Sequence, residues 1–438
     1  MSDPVTVSVL THRLEAIVQE MGEAMLRTAY SQILNSSRDF STALCDAGAR
    51  LIAQAEHVPI HVGAIPWAVE SVRDSFKGRV RPGDVYLLND PYHGNNHLPD
   101  LTAFVPVFVG DEVAFWSINR AHQSDIGGST HGAYNPGATE IWQEGLRITP
   151  LKLYDAGELR DDVLRMITTN VRHPHDFMGD LRAMIGSARV GERRLLALIA
   201  EYGASTVLEA IDEILDGAER QARACVATWK DGVYRGETIL DDDGHEFTDI
   251  WIRATVTKRG DGLTVDLSDS HPQVTGFVNS SFPNTMSAVH MAFAYLIDPR
   301  TPKNSGTFRP VKVIAKQGHD RLAVSAGAGD PGDESLRAGD RRGDDPGAGA
   351  GVPRSRALGL GPSIPHRDQG REPADPQAVH LAHVPRAAGR RRQRRGRRVG
   401  DRGRGTGSRR HQVRQRRGRR STVPADVRAP RVQTRLRR

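Results

Sequence analysis

Cysteine is scarce in this sequence, which has Cys45 and Cys225 as its two cysteines in 438 residues. Two thiols exclude a disulfide framework and a metal cluster held by thiolates alone. Such sparse use suits a reducing compartment, where a buried thiol serves as a small apolar side chain. We therefore predict a cytoplasmic protein without disulfide bonds.

Long apolar runs are also missing. The longest, VHMAFAYLI at residues 289–297, is far shorter than the roughly 20 residues that a membrane-spanning helix needs. The N-terminal stretch MSDPVTVSVLTHRLEAI has no basic segment followed by an apolar core, which a secretory signal would show. These two absences favour a protein that neither spans a membrane nor is secreted.

The C-terminal part lacks lysine and aromatic residues. No Lys follows Lys316, and all 24 aromatic residues lie at or before Phe308. Residues 321–438 contain 30 Arg against 11 Asp and Glu, a formal charge of +19, which leaves −12 for the first 320 residues of a chain whose total is +7. Too little apolar surface remains to offset chain entropy, so residues 317–438 are predicted to form a disordered tail rich in Arg, Gly and Pro.

Two interpretations of this tail compete. One is an arm that binds the phosphates of a nucleic acid. The other is a GC-rich reading frame translated out of register, because Gly, Ala, Arg and Pro have GC-rich codons. The missing Lys, and the missing aromatic side chains for base stacking, argue against a nucleic-acid partner. We favour the out-of-register frame, in which case the native continuation of the fold would be lost.

Periodicity in the first 316 residues predicts both helices and strands. Apolar residues at helical spacing predict a helix over residues 6–30, and two apolar segments broken by GDE predict a strand hairpin over residues 101–122. Three helical segments follow within residues 158–229. From residue 232 the pattern becomes strand-like, and KRGDG between two alternating runs marks a hairpin.

These patterns predict an α+β fold. The N-terminal region would be a mixed α/β domain, the middle would be helical, and a β-rich segment with one helix would precede the tail. The predicted boundaries are 1–157 for the α/β domain, 158–230 for the helical region, 231–316 for the β-rich domain and 317–438 for the tail.

Short segments that pair histidine with a carboxylate recur in the first domain. AQAEHVPIHVG contains Glu56, HLPD contains His97 and Asp100, and RAHQSD contains His122 and Asp125. One histidine beside proline and glycine is usually a hydrogen-bonding loop residue. Three such segments in one domain indicate a shared site.

A divalent ion would explain this residue set, because Mn²⁺, Fe²⁺ and Zn²⁺ accept mixed imidazole and carboxylate ligands. In HLPD the proline stiffens the link between His97 and Asp100, so both can converge from one turn. His122 ends the second strand of the predicted hairpin, which would return it beside His97, and Glu56 would come from a separate loop. Open positions on the ion would accept substrate. The alternative is a polar loop cluster held by hydrogen bonds.

Several long segments resemble the hydantoinase B/oxoprolinase family. They include DFSTALCDAGARLIAQAEHVPIHVGAIP, GDVYLLNDPYHGNNHLPDLTAFVPVF and RAHQSDIGGSTHGAYNPGATEIWQEGLRI. The resemblance covers about residues 5–316. The family includes the B subunits of ATP-dependent N-methylhydantoinases, one half of 5-oxoprolinase and the alpha subunits of acetone and acetophenone carboxylases.

The resemblance implies a subunit that works with a hydantoinase A-like ATPase in a hetero-oligomer. The partner would use ATP to phosphorylate the substrate, and this subunit would open the activated cyclic amide with a metal, manganese being expected and zinc or iron the alternatives. It also implies that Glu56, His97, Asp100 and His122 are the ligands. Gln123 stands where the family has a second histidine, so hydantoin, 5-oxoproline and ketone substrates remain open.

Other residues near these segments suggest further roles. Asp125 is a candidate general base or a carboxylate that orients a ligand histidine. Arg120 or Arg147 could neutralise a phosphate or carboxylate. The chain contains no Walker A pattern, so nucleotide binding is assigned to the partner. The alternatives are an alpha-type subunit of a ketone carboxylase and a non-catalytic scaffold subunit.

Overall fold

A computed structural model of the protein describes residues 3–61, 63–132, 134–316 and 433–434. Seven antiparallel strands form its first sheet. They are β1 (Phe40–Asp46), β2 (Leu51–Glu56), β3 (Val85–Leu88), β4 (Asp100–Val109), β5 (Glu112–His122), β6 (Leu151–Asp155) and β7 (Glu158–Leu159). Their order across the sheet is β2-β1-β5-β4-β3-β6-β7, so the long β4–β5 hairpin lies at the centre.

The second sheet is built from strands later in the chain. They are β8 (Gly232–Asp242), β9 (Thr248–Arg259), β10 (Gly262–Asp266), β11 (Val311–Ile314) and β12 (Gln433–Thr434). The order is β11-β10-β9-β8-β12, with β10 and β11 parallel and the other pairs antiparallel. Residues 260 and 261 form the tight turn between β9 and β10, where KRGDG predicted a hairpin.

The described residues also form helices. They are α1 (Pro4–Thr28), α2 (Gln32–Asn35), α3 (Ile65–Ser75), α4 (Ile141–Glu144), α5 (Asp161–Thr169), α6 (Pro174–Tyr202), α7 (Ala204–Ala227), α8 (Phe282–Leu296) and α9 (Ser305–Phe308). Two 3-10 turns lie at Pro59–His61 and Pro91–His93. The structure therefore confirms the predicted α+β class. Within the described ranges, no helix combines the length and apolarity that crossing a bilayer would take.

Strand alternation divides the first sheet into two buried faces. One face packs Leu101 and Val105 of β4 against α1 and α6. The opposite face buries Phe104 and Trp116 in a cluster with residues of α3 and α8. Because both faces are covered, the polar side chains within these strands are buried too, among them Thr42, Ser117 and Asn119.

α6 approaches the central strands closely because small residues line its inner face. A Cβ added at Gly191 would collide with Ser117 on β5 and Met21 on α1. Ser117 Oγ donates to the carbonyl of Ala188 at 2.7 Å, and Ser187 Oγ donates to the carbonyl of Met21 at 2.7 Å. α1, α6 and β5 are thereby locked together behind the sheet.

The elements agree with the sequence predictions except at a few places. α1, the β4–β5 hairpin and the three helices of the middle region occur where the patterns predicted them. The β1–β2 hairpin was not predicted. The predicted tail, residues 317–438, lies outside the described residues apart from the β12 pair, and the domain boundaries stay predictions.

Candidate metal centre

Three strand ends meet at one edge of the first sheet. β4 begins at Asp100, which pairs with His122 at the end of β5. The backbone N–H of His122 donates to the carbonyl of Asp39, just before β1, at 3.0 Å. Neighbouring strands lie about 4.8 Å apart, so these three residues form a row along the edge.

Imidazole nitrogens surround the carboxylate of Asp100. Asp100 Oδ2 lies 3.0 Å from His97 Nδ1 and 3.1 Å from His61 Nε2, and Oδ1 lies 3.3 Å from His122 Nδ1. The rings of His97 and His122 are 4.9 Å apart. The potential ligand atoms form two groups, and within each group they all lie within 4.8 Å of one another. The first group is His97, Asp100 and His122, and the second is Asp39, His61 and Asp100. We call these five residues the candidate metal centre.

The carboxylate of Asp100 is buried, and neither of its oxygens has a partner in hydrogen-bond geometry among the described residues. Its side chain is 1% exposed, and the neighbouring His97 Nδ1 also lacks a partner in hydrogen-bond geometry among the described residues. A buried carboxylate normally needs a hydrogen bond or a cation. Carboxylate oxygens and imidazole nitrogens that face one another in this way can together hold a divalent cation.

Electrostatics favours an ionised carboxylate in this centre. Burial acts to raise the pKa of Asp100, but the charges of His97 and His61 outweigh it, so that pKa lies well below its usual range. Burial acts to lower the pKa of His97, and the carboxylate of Asp100 raises it more, with a net increase. A divalent cation bound by the imidazoles in place of their protons would be attracted by the same negative charge of the Asp100 carboxylate.

Glu56 does not join the group, contrary to the sequence-based expectation. It ends β2 rather than a loop, and it pairs with Ser41, which pairs with Arg120. Since β2 lies three strand spacings from β4, the backbone of Glu56 is about 14 Å from the axis of β4, the strand that begins at Asp100. Its carboxylate accepts from Gln54 Nε2 at 3.0 Å and lines a small pocket with Lys303.

His61 was not selected from the sequence as a site residue. It ends the 3-10 turn Pro59–His61 and is buried. Ser41 Oγ lies 3.0 Å from its Nδ1, and this contact aims Nε2 at Asp100. Ser287 of α8 holds the same turn by donating to the carbonyl of Ile60 and accepting from Gly63 N–H. The signal was present in the sequence as the second histidine of EHVPIH.

Arg120 is held inside the protein by hydrogen bonds to the loop that carries His97. Its side chain is fully buried. Its Nε donates to Thr102 Oγ1 at 2.9 Å, and its two Nη atoms donate to Asn96 Oδ1 at 2.6 Å and the carbonyl of Gly94 at 3.0 Å. Burial lowers the pKa of Arg120 to about 10, so it remains a cation at neutral pH. The guanidinium therefore fixes the loop that carries His97.

Asn95 adds further hydrogen bonds within the loop between β3 and β4. Asn95 Nδ2 donates to the carbonyls of Asn89 and His97 at 2.9 Å and also to that of Asp100. Gly94 has a φ of +99°, and a Cβ there would collide with Ala68 of α3, so the position requires glycine. The loop is fixed by its own hydrogen bonds before any ion enters.

Asp125 is not a member of either ligand group of the candidate metal centre. Its Oδ1 accepts from Arg172 Nη1 at 3.0 Å and from Gly127 N–H at 3.2 Å, while Oδ2 accepts from the backbone N–H of Arg172. Burial acts to raise the pKa of Asp125, but these hydrogen bonds outweigh it and the net pKa is lowered. Asp125 ties the start of the long glycine-rich loop to the α5–α6 connection.

We expect Asp125→Ala to loosen that loop without affecting a bound metal. The variant should lose about 1–3 kcal/mol of unfolding free energy, because charge-assisted hydrogen bonds disappear from a buried site. Limited proteolysis should cleave residues 126–140 faster. As a matched control, Asp162→Ala removes an exposed pair with Arg160 and should change neither measurement. Unchanged proteolysis in Asp125→Ala would contradict the tethering role.

The described residues thus form an α+β fold with an imidazole and carboxylate centre at a sheet edge. The chain belongs to the hydantoinase B/oxoprolinase family, because the family model matches residues 3–327. The sequence-based resemblance is confirmed.

Individual relatives give the same result. The beta subunit of caprolactamase from Pseudomonas jessenii is 38% identical over 311 residues, which cover 71% of this chain and 53% of that protein. The B-type subunit of a putative D-/L-hydantoinase from Pseudomonas sp. strain NS671 is 35% identical over 332 residues, with 72% and 56% covered. The chain spans about half the length of these two relatives.

Solved structures show the same fold. The crystal structure of the ATP-dependent caprolactamase from Pseudomonas jessenii superposes with a TM-score of 0.70 at 36% identity, covering 73% of this chain and 55% of that one. A nucleotide-free acetone carboxylase superposes with a TM-score of 0.64 at 23% identity, covering 70% of this chain and 43% of that one. At that identity the second likeness concerns the fold alone.

Proposed function

We propose that this chain is the B-type subunit of an ATP-dependent enzyme that hydrolyses a cyclic amide. A hydantoinase A-like ATPase subunit would activate the substrate, and the candidate metal centre would hold the divalent ion that assists ring opening. Two relatives with names of this kind, a caprolactamase subunit and a putative hydantoinase subunit, support the substrate class over a ketone.

The buried carboxylate of Asp100 carries the proposal. Three imidazole nitrogens lie within 3.3 Å of its oxygens, yet neither oxygen has a partner in hydrogen-bond geometry within the described residues. A purely structural cluster would be expected to satisfy a buried carboxylate, since each unsatisfied charged group is costly. Imidazole and carboxylate together suit Mn²⁺, Fe²⁺ or Zn²⁺, with manganese the expected ion.

Each residue around the candidate metal centre would have a separate role in catalysis. When bound, the ion would polarise the amide carbonyl or a water molecule. His97 and His122 are each partly exposed, 13% and 15%, so the substrate would approach from their side. Asp100, which is buried, would supply a carboxylate ligand to the ion. Arg120 would hold the His97 loop in position.

Metal analysis and turnover test the proposal together. The full chain, coexpressed with its ATPase partner, should contain close to one divalent ion per chain and open hydantoin, 5-oxoproline or caprolactam when ATP is present. We expect His122→Ala to lose the ion and to lower kcat by about 100-fold or more, because transition-state stabilisation of several kcal/mol is lost. Glu56→Gln is the control and should retain both the ion and the rate.

Other results would overturn the proposal. A complex that lacks a divalent ion yet retains full activity in His122→Ala would support the scaffold alternative. Carboxylation of acetone with bicarbonate, without hydrolysis of any cyclic amide, would support the carboxylase alternative. Loss of the ion in Glu56→Gln would restore Glu56 as a ligand.

A further inference from the structure

Two short turns with the same sequence pattern lie beside α8. Pro59–His61 and Pro91–His93 are both 3-10 turns of the form Pro-x-His, and both pack against α8. The first delivers His61 to the candidate metal centre, whereas His93 of the second turn is not part of it. The side chain of His93 is 33% exposed. A partly exposed histidine beside a metal centre is a candidate for proton transfer.

A buried carboxylate orients the ring of His93. His93 Nδ1 lies 3.0 Å from Asp90 Oδ2, and Asp90 is fully buried. Arg147 Nε donates to the same oxygen at 2.7 Å, and the backbone N–H of Tyr92 donates to Asp90 Oδ1 at 3.0 Å. Asp90 is therefore fixed from three directions and holds the imidazole in one orientation.

The charge state of Asp90 sets the proton arrangement on His93. Burial acts to raise the pKa of Asp90, but His93 and Arg147 outweigh it, so the net pKa is lowered and the carboxylate is ionised at neutral pH. An ionised carboxylate accepts hydrogen bonds only, so Nδ1 of His93 carries the proton. The lone pair of a neutral His93 is then on Nε2, for which the described residues provide no hydrogen bond.

Shared hydrogen bonds connect the loop of this pair to the candidate metal centre. Asn95 Nδ2 donates to the carbonyl of Asn89, which precedes Asp90, and to the carbonyl of Asp100. The carbonyl of Asp90 accepts from Asn95 N–H at 3.2 Å, in the loop that continues to His97. His93 and His97 thus belong to one rigid loop, four residues apart.

We propose that His93 is the residue that transfers the proton during ring opening, with Asp90 as its positioning residue. This inference rests on the proposed function. As the oxygen of water bonds to the activated carbonyl carbon, one proton of the water passes to Nε2 of His93. When the ring C–N bond breaks, its electron pair stays on nitrogen, which takes that proton from His93. The imidazole is restored and the remaining proton of the new hydroxyl passes to solvent. The phosphoryl group that came from ATP stays on the former carbonyl oxygen as an acyl phosphate, which a second water hydrolyses to the carboxylate and phosphate.

Kinetics of variant complexes test this role. In the full chain with its ATPase partner, His93→Ala should lower kcat by about 10²–10⁴-fold, the usual contribution of a general acid–base residue. KM and bound metal should stay close to those of the wild type. Imidazole in the buffer should restore part of the rate in His93→Gly. The control His12→Ala removes an exposed histidine with a similar Nδ1 contact, to Glu15 at 3.3 Å, and should leave kcat unchanged.

A double-variant comparison separates positioning from a structural role. Asp90→Asn should lower kcat less than His93→Ala, and the double variant should be no slower than His93→Ala alone, since Asp90 acts through His93.

If the wild-type complex hydrolyses a cyclic amide and His93→Ala stays within threefold of its kcat, the role of His93 is refuted while the proposed function stands. A rate loss caused by loss of metal refutes it as well. A wild-type complex inactive on every cyclic amide refutes both.

Discussion

Asp100→Asn should abolish metal binding and activity while leaving the fold intact. The substitution keeps the size of the side chain but removes the negative charge that three imidazoles face at 3.0–3.3 Å. A neutral amide is a poor ligand for a divalent transition metal, and the anchor of the centre is lost. We expect less than about a tenth of the wild-type metal content, and a kcat lower by about 100-fold or more. Elemental analysis and an ATP-dependent hydrolysis assay measure the two effects.

Circular dichroism distinguishes this result from unfolding. Asp100→Asn relieves a buried charge that has no hydrogen bond within the described residues, so its helix signal and melting profile should resemble those of the metal-free wild type. Asp298→Asn, on the exposed loop before α9, is the matched control and should behave as wild type in every assay. Stoichiometric metal in Asp100→Asn would refute the assignment of the centre.

Arg120→Lys should destabilise the protein and impair the centre although the charge is kept. A lysine cannot reproduce the fork that bonds Thr102, Asn96 and the carbonyl of Gly94 at once. Buried acceptors that lose their donors cost about 1–3 kcal/mol each, so we expect a loss of about 3 kcal/mol in unfolding free energy. Chemical denaturation measures it. Metal affinity should also fall, by about 10–100-fold, because the loop that carries His97 is no longer fixed.

An exposed arginine provides the comparison for this variant. Arg194 makes a bidentate pair with Glu20, with distances of 2.8 and 2.7 Å, on the surface of α6. Arg194→Lys should change neither stability nor metal affinity, since exposed pairs contribute little. If Arg120→Lys were equally neutral, the bonds of Arg120 would not be what holds the loop.

The core of the site was accessible from the sequence because it depends on local geometry. His97 and Asp100 are three residues apart around a proline, and the apolar pattern of the hairpin fixed the register that returns His122 to Asp100. Tight hairpins allow few registers, so the pairing follows from the turn and the alternation. The same reasoning predicted α1 and the helical middle region from periodicity.

The rest of the centre depends on a hairpin that the pattern did not reveal. β1 is buried along its whole length and shows no alternation of apolar and polar residues, which is the signal for a half-exposed strand. Without β1 and β2, Asp39 and His61 could not be placed beside β5, and Glu56 was assigned to a loop. The segment DAGA between the two strands was a turn signal that could have revealed the hairpin.

The proposed roles of Arg120 and Asp125 differ from the predicted ones for a related reason. The sequence shows that a charged residue lies near the candidate metal site along the chain, but it does not show with which residue that charge forms a hydrogen bond. Arg120 points into the protein on a central strand, and Asp125 is bound by Arg172, 47 residues away. Contacts over such separations arise from tertiary packing, which no local pattern encodes.

The independent anchoring of the two loops has a consequence for how this protein can diversify. Asn95 and Arg120 secure the segment that bears His97, while Asp125 and Arg172 secure the glycine-rich segment by separate bonds. Mutations that reshape residues 126–140 can therefore accumulate without disturbing the reactive residues. One ancestral scaffold could in this way acquire preferences for rings of different size while conserving a single chemistry.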